Sequence, residues 1–193
     1  MTKVAFGAYR VSIDSSEHEQ ALKKAFDNKV PLIDTSANYT DGNSERLIGK
    51  VLSDHKHRPL IVSKVGYIQG ENLKLLATMS LGEKAKSEII HVSESLKHSI
   101  SPDFIEDQIL RSLERLNIEV LDAYLLHNPE YYFKSENPTK KEYYRRIKDA
   151  FEKLEELVER GLIKYYGVSS NSFSKFRENE DFTDLDILFG AAR

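Results

Sequence analysis

The chain has 193 residues, 40% of them hydrophobic and 31% charged, with a formal net charge of −3 and no cysteine. That composition excludes a disordered polymer, a general nucleic-acid binder, and any disulfide or thiolate metal site. No apolar run approaches the ~20 residues of a membrane span, and Met1-Thr-Lys-Val4 leads straight into a predicted strand without a signal or transit peptide, so a cytosolic location is expected.

Taken in order, Val4 to Gly7 reads as a first short strand. His18 to Asn28 carries Ala21, Leu22, Ala25 and Phe26 at helical spacing. Lys29 to Asp34 is an apolar run that ends in a carboxylate, and Ser44 to Leu52 is a helix striped by Leu47, Ile48 and Val51. Arg58 to Lys64 repeats the strand design and ends in an amine. Ile68 to Ser101 reads as polar and irregular. Ser101-Pro102-Asp103 then gives a helix start, with serine at the N-cap, proline in the first turn and an early acid, ahead of the stripe Phe104 to Leu116. Leu121 to His127 is a strand that ends in an imidazole. The longest helix carries Tyr143, Ile147, Ala150, Leu154 and Leu157 and stops at Arg160-Gly161, where glycine can take a left-handed cap. Ile163 to Ser169 is the next strand. Leu185 to Phe189 reads either as a sixth strand or as helix.

About five βα units in one predicted domain, residues 1–193, indicate a parallel sheet with helices outside it. Runs that do not alternate suit strands buried on both faces. The open, doubly wound sheet and the closed (β/α)8 TIM barrel compete. No G-x-G-x-x-G follows the first strand, which disfavours the dinucleotide-binding open sheet. Polar residues at the C-terminal ends of several strands match the barrel, whose active sites occupy that face.

Those strand ends carry a chemistry. Reducing a carbonyl needs hydride on carbon and a proton on oxygen. A phenol is a weak acid, with a reference pKa of about 10. An ammonium beside it stabilises the phenolate by roughly 4 kcal/mol at ~4 Å and an effective dielectric of ~20, before desolvation. The ammonium needs a counter-ion, and an imidazole can orient the substrate oxygen. Tyr39, Lys64, Asp34 and His127 fit these roles in that order. Each also has a plainer reading: Tyr39 as packing, Asp34 as a turn cap, Lys64 as a solvated charge, His127 as the partner of a loop carbonyl. His18, His55, His57, His91 and His98 are read as surface residues.

The stretches Phe6-Gly-Ala-Tyr9, Ile33-Asp-Thr-Ser-Ala-Asn-Tyr39, Asp41-Gly-Asn-Ser-Glu45, Ser63-Lys-Val-Gly-Tyr67, Leu121-Asp-Ala-Tyr-Leu-Leu-His-Asn-Pro129 and Tyr166-Gly-Val-Ser-Ser-Asn171 occur in an order that resembles the aldo-keto reductases. The resemblance implies a (β/α)8 barrel that transfers hydride between NADP(H), or NAD(H), and a small carbonyl or sugar substrate. It implies Tyr39 as proton donor, tuned by Lys64 and Asp34, with His127 positioning the carbonyl. It points to Gly7, Ala8, Tyr9, Asp34, Ser169, Ser170 and Asn171 for the cofactor, and to no metal.

A complete barrel has eight βα units and typically ~250 residues. This chain is therefore expected to be a C-terminally truncated aldo-keto reductase, with open sheet edges that favour self-association and with weak binding of NADPH or none. Lys64 and His127 lie 63 positions apart, against 30 for Asp34 and Lys64. The excess, in Ile68 to Ser101, leaves from the active-site face and is expected to shape the substrate pocket. Asn128 to Phe133 begins a second loop, whose three aromatics either line that pocket or pack the loop down. Two other functions stay open: a barrel enzyme with Lys64 as a Schiff-base amine, and a non-catalytic regulatory or binding subunit with the same fold.

Overall fold

The computed structural model describes residues 4–171, so the predicted element at Leu185 to Phe189 lies outside the described residues. The helices and strands are β1 (Phe6–Gly7), α1 (Ser16–Asp27), β2 (Leu32–Asp34), α2 (Asn43–Ser53), β3 (Leu60–Val65), β4 (Tyr67–Ile68), α3 (Gly70–Leu75), α4 (Glu83–Ser87), β5 (Ile90–Ser93), β6 (Leu96–His98), α5 (Pro102–Leu116), β7 (Leu121–His127), α6 (Lys140–Glu159) and β8 (Ile163–Ser169). The two later strands, β7 and β8, have the bounds their apolar runs predict. The first two are trimmed at their N-terminal ends.

The main sheet has five parallel strands in the order β1-β2-β3-β7-β8. Every crossover steps the same way, with no reversal. A doubly wound sheet reverses at its switch point, so the order is that of a barrel wall. Gly7 pairs with Asp34, Lys64 with Leu125 and His127 with Ser169. The strand ends bearing Asp34, Lys64, His127 and Ser169 therefore share one rim.

Helices cover the outside because their apolar stripes need the sheet. Leu22 and Phe26 of α1, Leu47, Ile48 and Val51 of α2, Ile105, Ile109 and Leu116 of α5, and Ile147, Leu154 and Leu157 of α6 join Ile33, Ile61, Tyr124 and Leu126 in one core. Ser101 is the N-cap of α5 with proline after it, as its sequence predicts, but its hydroxyl caps no amide; two other helices have side-chain caps. Ser15 accepts from the His18 amide ahead of α1, and Thr139 accepts from the Glu142 amide ahead of α6. Gly161, just past α6, sits at φ 73°.

Gly49 marks where α2 and α5 come closest. A methyl there would lie 2.7 Å from the Leu116 carbonyl oxygen and 2.7 Å from the Arg115 oxygen. Gly49→Ala is expected to destabilise the protein by about 1–3 kcal/mol through overpacking, although alanine is favoured over glycine in a helix by up to ~1 kcal/mol. A urea midpoint at or above that of the parent protein would contradict this.

The segment after β3 is not the irregular loop its polar composition predicts. It forms α3, α4 and a three-stranded antiparallel sheet, β4-β6-β5. Six of its apolar residues, Ile68, Met79, Leu81, Ala85, Ile90 and Ile100, are buried in the core. Arg145 on α6 holds this insert from outside, pairing with Glu88 at 2.5 Å, while Lys84 pairs with Asp149 at 2.8 Å. The second loop becomes a 3-10 turn, Pro129–Lys134. Its aromatics pack down: Tyr132 stacks on Tyr143, and Phe133 meets the same ring edge-on.

Candidate active site

Asp34 ends β2, and its neighbour Thr35 continues the ladder by donating to the Val62 carbonyl at 2.8 Å. The chain then turns sharply. Tyr39 opens a 3-10 segment in which Thr40, Asp41 and Gly42 all take left-handed angles, φ 46°, 59° and 82°. Such angles are costly for threonine and aspartate, and side-chain bonds hold them. Thr40 donates to the Val11 carbonyl at 2.5 Å, and Asp41 accepts from the Glu71 amide at 2.7 Å. The turn brings the Tyr39 phenol back over β3.

Lys64, near the end of β3, has its side chain only 4% exposed. Its ammonium donates to Asp34 Oδ1 at 2.6 Å, to the Thr35 carbonyl at 2.7 Å and to the Tyr39 hydroxyl at 3.2 Å. An ammonium has three N–H groups, and here each has an acceptor. The Tyr39 oxygen accepts from Lys64, so its own proton is left to donate elsewhere. Tyr9 meets the Tyr39 ring edge-on at 5.1 Å.

His127 completes the group. Its ring lies 6.1 Å from that of Tyr39 and 4.8 Å from that of Tyr67, edge-on to both. Its Nδ1 is 3.2 Å from Ser36 Oγ, leaving Nε2 for the cavity. Ser36 also lies 2.6 Å from the Asn38 side-chain oxygen. Ser36 has one proton to give. If Asn38 takes it, His127 Nδ1 is the donor and Nε2 is a lone pair. If the Asn38 amide turns over, Ser36 donates to Nδ1 and Nε2 carries a hydrogen. Burial, with the charge on Lys64 second, pushes His127 down to about 3, so the ring is neutral near pH 7.

Of the five histidines read as surface, His98 departs most. It is 1% exposed at the end of β6, and burial pushes it down to about 4. The signal lay in the alternation Leu96, His98, Ile100, whose middle member belongs to the inward face. Both buried imidazoles resist protonation when folded and accept it near the ordinary 6.5 when unfolded. The unfolded state therefore binds more protons below that value, and stability falls as pH falls. Each should cost about 2 kcal/mol between about pH 7.5 and 5. Urea midpoints across that range test this: His98→Gln should remove about half of the loss, and a flat parental profile would contradict it.

A cavity of about 630 Å³ opens beside Tyr39 and His127, lined also by Tyr9, Arg10, Asn38, Thr40, Tyr67, Gln69, Asn128 and Asn171. The lining is mainly polar. Gln69 comes from the insert. Of the residues assigned to the cofactor by resemblance, Tyr9 and Asn171 line the cavity. Gly7, Ala8, Asp34, Ser169 and Ser170 do not. Ala8 is fully buried, its amide donating to Asp34 O at 2.8 Å and its carbonyl accepting from Ser44 at 3.0 Å. Ser170 turns away to donate to Glu130 at 2.7 Å. Sequence reading passed over Ser36, Tyr67 and Asn38 as site residues, although all three lie inside the quoted stretches. A hydroxyl, a phenol and an amide carry no distinctive spacing.

Among the described residues, no group of three His, Cys, Asp or Glu could hold a metal, and no helix is long and apolar enough to cross a membrane. A profile of the Aldo/keto reductase family matches residues 3–188. The NADH-specific methylglyoxal reductase of Escherichia coli is 26% identical over 160 residues, 82% of this chain and 43% of that protein. The glycerol dehydrogenase of Gluconobacter oxydans superposes with a TM-score of 0.65 at 20% identity, over 99% of this chain and 49% of that one. An aldo-keto reductase from Klebsiella pneumoniae, solved with NADP and acetate, superposes at 0.58 and 22% identity, over 96% of this chain and 48% of that one. This chain spans about half the length of these relatives. With the parallel barrel wall and a family match across nearly all of its length, the chain belongs to the aldo/keto reductase family.

Proposed function

We propose that this chain carries the proton-transfer site of a nicotinamide-dependent carbonyl reductase. The observation that supports it is the ammonium of Lys64, held 2.6 Å from Asp34 and 3.2 Å from the Tyr39 hydroxyl. In this reading Tyr39 gives its proton to the substrate oxygen. Lys64 stabilises the phenolate left behind, and Asp34 pairs with the ammonium and aims it. His127, neutral, receives the carbonyl oxygen at Nε2, which requires the arrangement in which Ser36 donates to Nδ1. NADPH, or NADH, supplies the hydride when bound. Tyr9 and Asn171 are the residues we assign to the nicotinamide end, since both line the cavity. The polar lining suits small aldehydes, ketones or sugars better than bulky apolar ketones, in keeping with relatives named for methylglyoxal and glycerol.

Lys64 as a Schiff-base nucleophile is not favoured. A buried amine whose three hydrogens are all bonded, one of them to a carboxylate, has no lone pair to offer. Mixing the chain with reduced nicotinamide and methylglyoxal or glyceraldehyde tests the reading. Oxidation of the cofactor that depends on the aldehyde is expected. No turnover with either nicotinamide would overturn the reading for this chain.

A further inference from the structure

We propose that His98 is a positioning residue for His127: its imidazole takes over where the β3 ladder stops and fixes the peptide on which the site histidine is carried. The proposal rests on the function assigned above, in which His127 receives the carbonyl oxygen.

The peptide joining His127 to Asn128 is the last of β7. Its N–H donates to Ser169 O at 2.7 Å, towards β8. In an extended strand the carbonyl of the same peptide points the opposite way, towards β3. The ladder with β3 ends one residue earlier, at Val65 opposite Leu126, so β3 offers no donor there. His98 Nε2 lies 2.8 Å from that carbonyl oxygen. A carbonyl only accepts, so Nε2 carries the hydrogen, which fixes the tautomer. One residue later Asn128 takes left-handed angles, φ 51° and ψ 58°. The peptide is thus a pivot between strand and turn, clamped on both sides.

The sequence makes room for the clamp. Gly66 follows the end of β3, and a methyl there would lie 2.5 Å from His98 Nε2 and 2.6 Å from His127 O. Tyr67 stands between the two imidazoles, edge-on to His98 at 5.6 Å and to His127 at 4.8 Å. Its hydroxyl accepts from Asn128 Nδ2 at 2.6 Å. His98 itself does not line the cavity. It acts through the backbone of His127, while Ser36 steadies the ring.

The test compares His98→Leu, which removes the donor, with His98→Gln, whose amide reaches the same carbonyl. Carbonyl reduction by the full chain is expected to lose tenfold or more in kcat in the leucine variant, with KM changed less than threefold. The glutamine variant should recover to within threefold of the parent, although both lose the ring. A leucine variant with parental kcat, or a glutamine variant as impaired as leucine, would overturn the proposal. If the parent reduces no carbonyl, the functional reading fails by itself, and nitrogen resonances of the His127 ring decide instead. They should move in His98→Leu and stay in His98→Gln; no movement in the leucine variant overturns the proposal. Should the leucine variant not fold, Gly66→Ala crowds both the imidazole and the carbonyl it bonds, and parental behaviour there counts against the proposal equally.

Discussion

Tyr39→Phe is expected to lower the rate of carbonyl reduction by about 10²–10⁴-fold, the usual share of a positioned general acid. The change removes one oxygen and leaves the ring. The edge contact with Tyr9 and the ammonium of Lys64 4.8 Å from the ring centre are kept, so the fold should not move. What is lost is the only phenol that accepts a bond from Lys64 among the described residues. Single-turnover decay of reduced-nicotinamide absorbance, with an unchanged thermal midpoint, measures the effect. A phenylalanine variant that keeps more than a tenth of the parental rate would remove Tyr39 from the mechanism. Survival of some other biological role in that variant would favour a binding subunit of the same fold.

The second large effect concerns Glu45, at the start of α2. Its side chain is fully buried, accepting from Ser63 at 2.5 Å and from Arg115 Nε at 2.7 Å. Arg115 is itself only 10% exposed. Deleting one partner of a buried pair strands the other, at a cost of about 3–5 kcal/mol. Glu45→Ala should therefore lower the thermal midpoint by roughly 10 °C for a chain of this size. Replacing both partners by apolar residues, Glu45→Leu with Arg115→Met, should restore most of that loss, because no charge is left unpaired. A single variant that costs under about 1 kcal/mol would mean water reaches the arginine after all.

Glu45 also shows what a sequence can and cannot reveal. Asp41-Gly-Asn-Ser-Glu45 is a recognisable stretch, yet nothing in its letters says that Ser44 and Glu45 are the bolts between α2 and the strands. The catalytic candidates were legible for a physical reason. Asp34, Lys64 and His127 each terminate an apolar run, and parallel strands place their ends on one rim. Tyr39 was legible as a phenol a few residues past a strand end, but its position over Lys64 was not, since that depends on three left-handed residues that no periodicity predicts. Which of the residues assigned to the cofactor by resemblance line the cavity was not legible. Ala8 is spent on Asp34 and Ser44, and Ser170 on Glu130, partners distant in sequence. The insert was misread because its strands are two to four residues long, below the length at which alternation becomes visible.

That insert has a further property. Its two ends are joined: the Ser99 amide donates to the Gly66 carbonyl at 2.9 Å, where the chain leaves β3 and before it enters α5. A loop whose ends are already pinned together can change length cheaply, because each doubling adds only about 0.6 kcal/mol of closure entropy. Evolution can therefore lengthen, shorten or exchange the segment between Gly66 and Ser99 without disturbing the register of the strands on either side. Such a change would have to keep the imidazole that reaches back to β7 and the apolar residues the segment lends to the core. The side of the cavity that Gln69 lines can thus change without moving the strand ends that carry Asp34, Lys64 and His127.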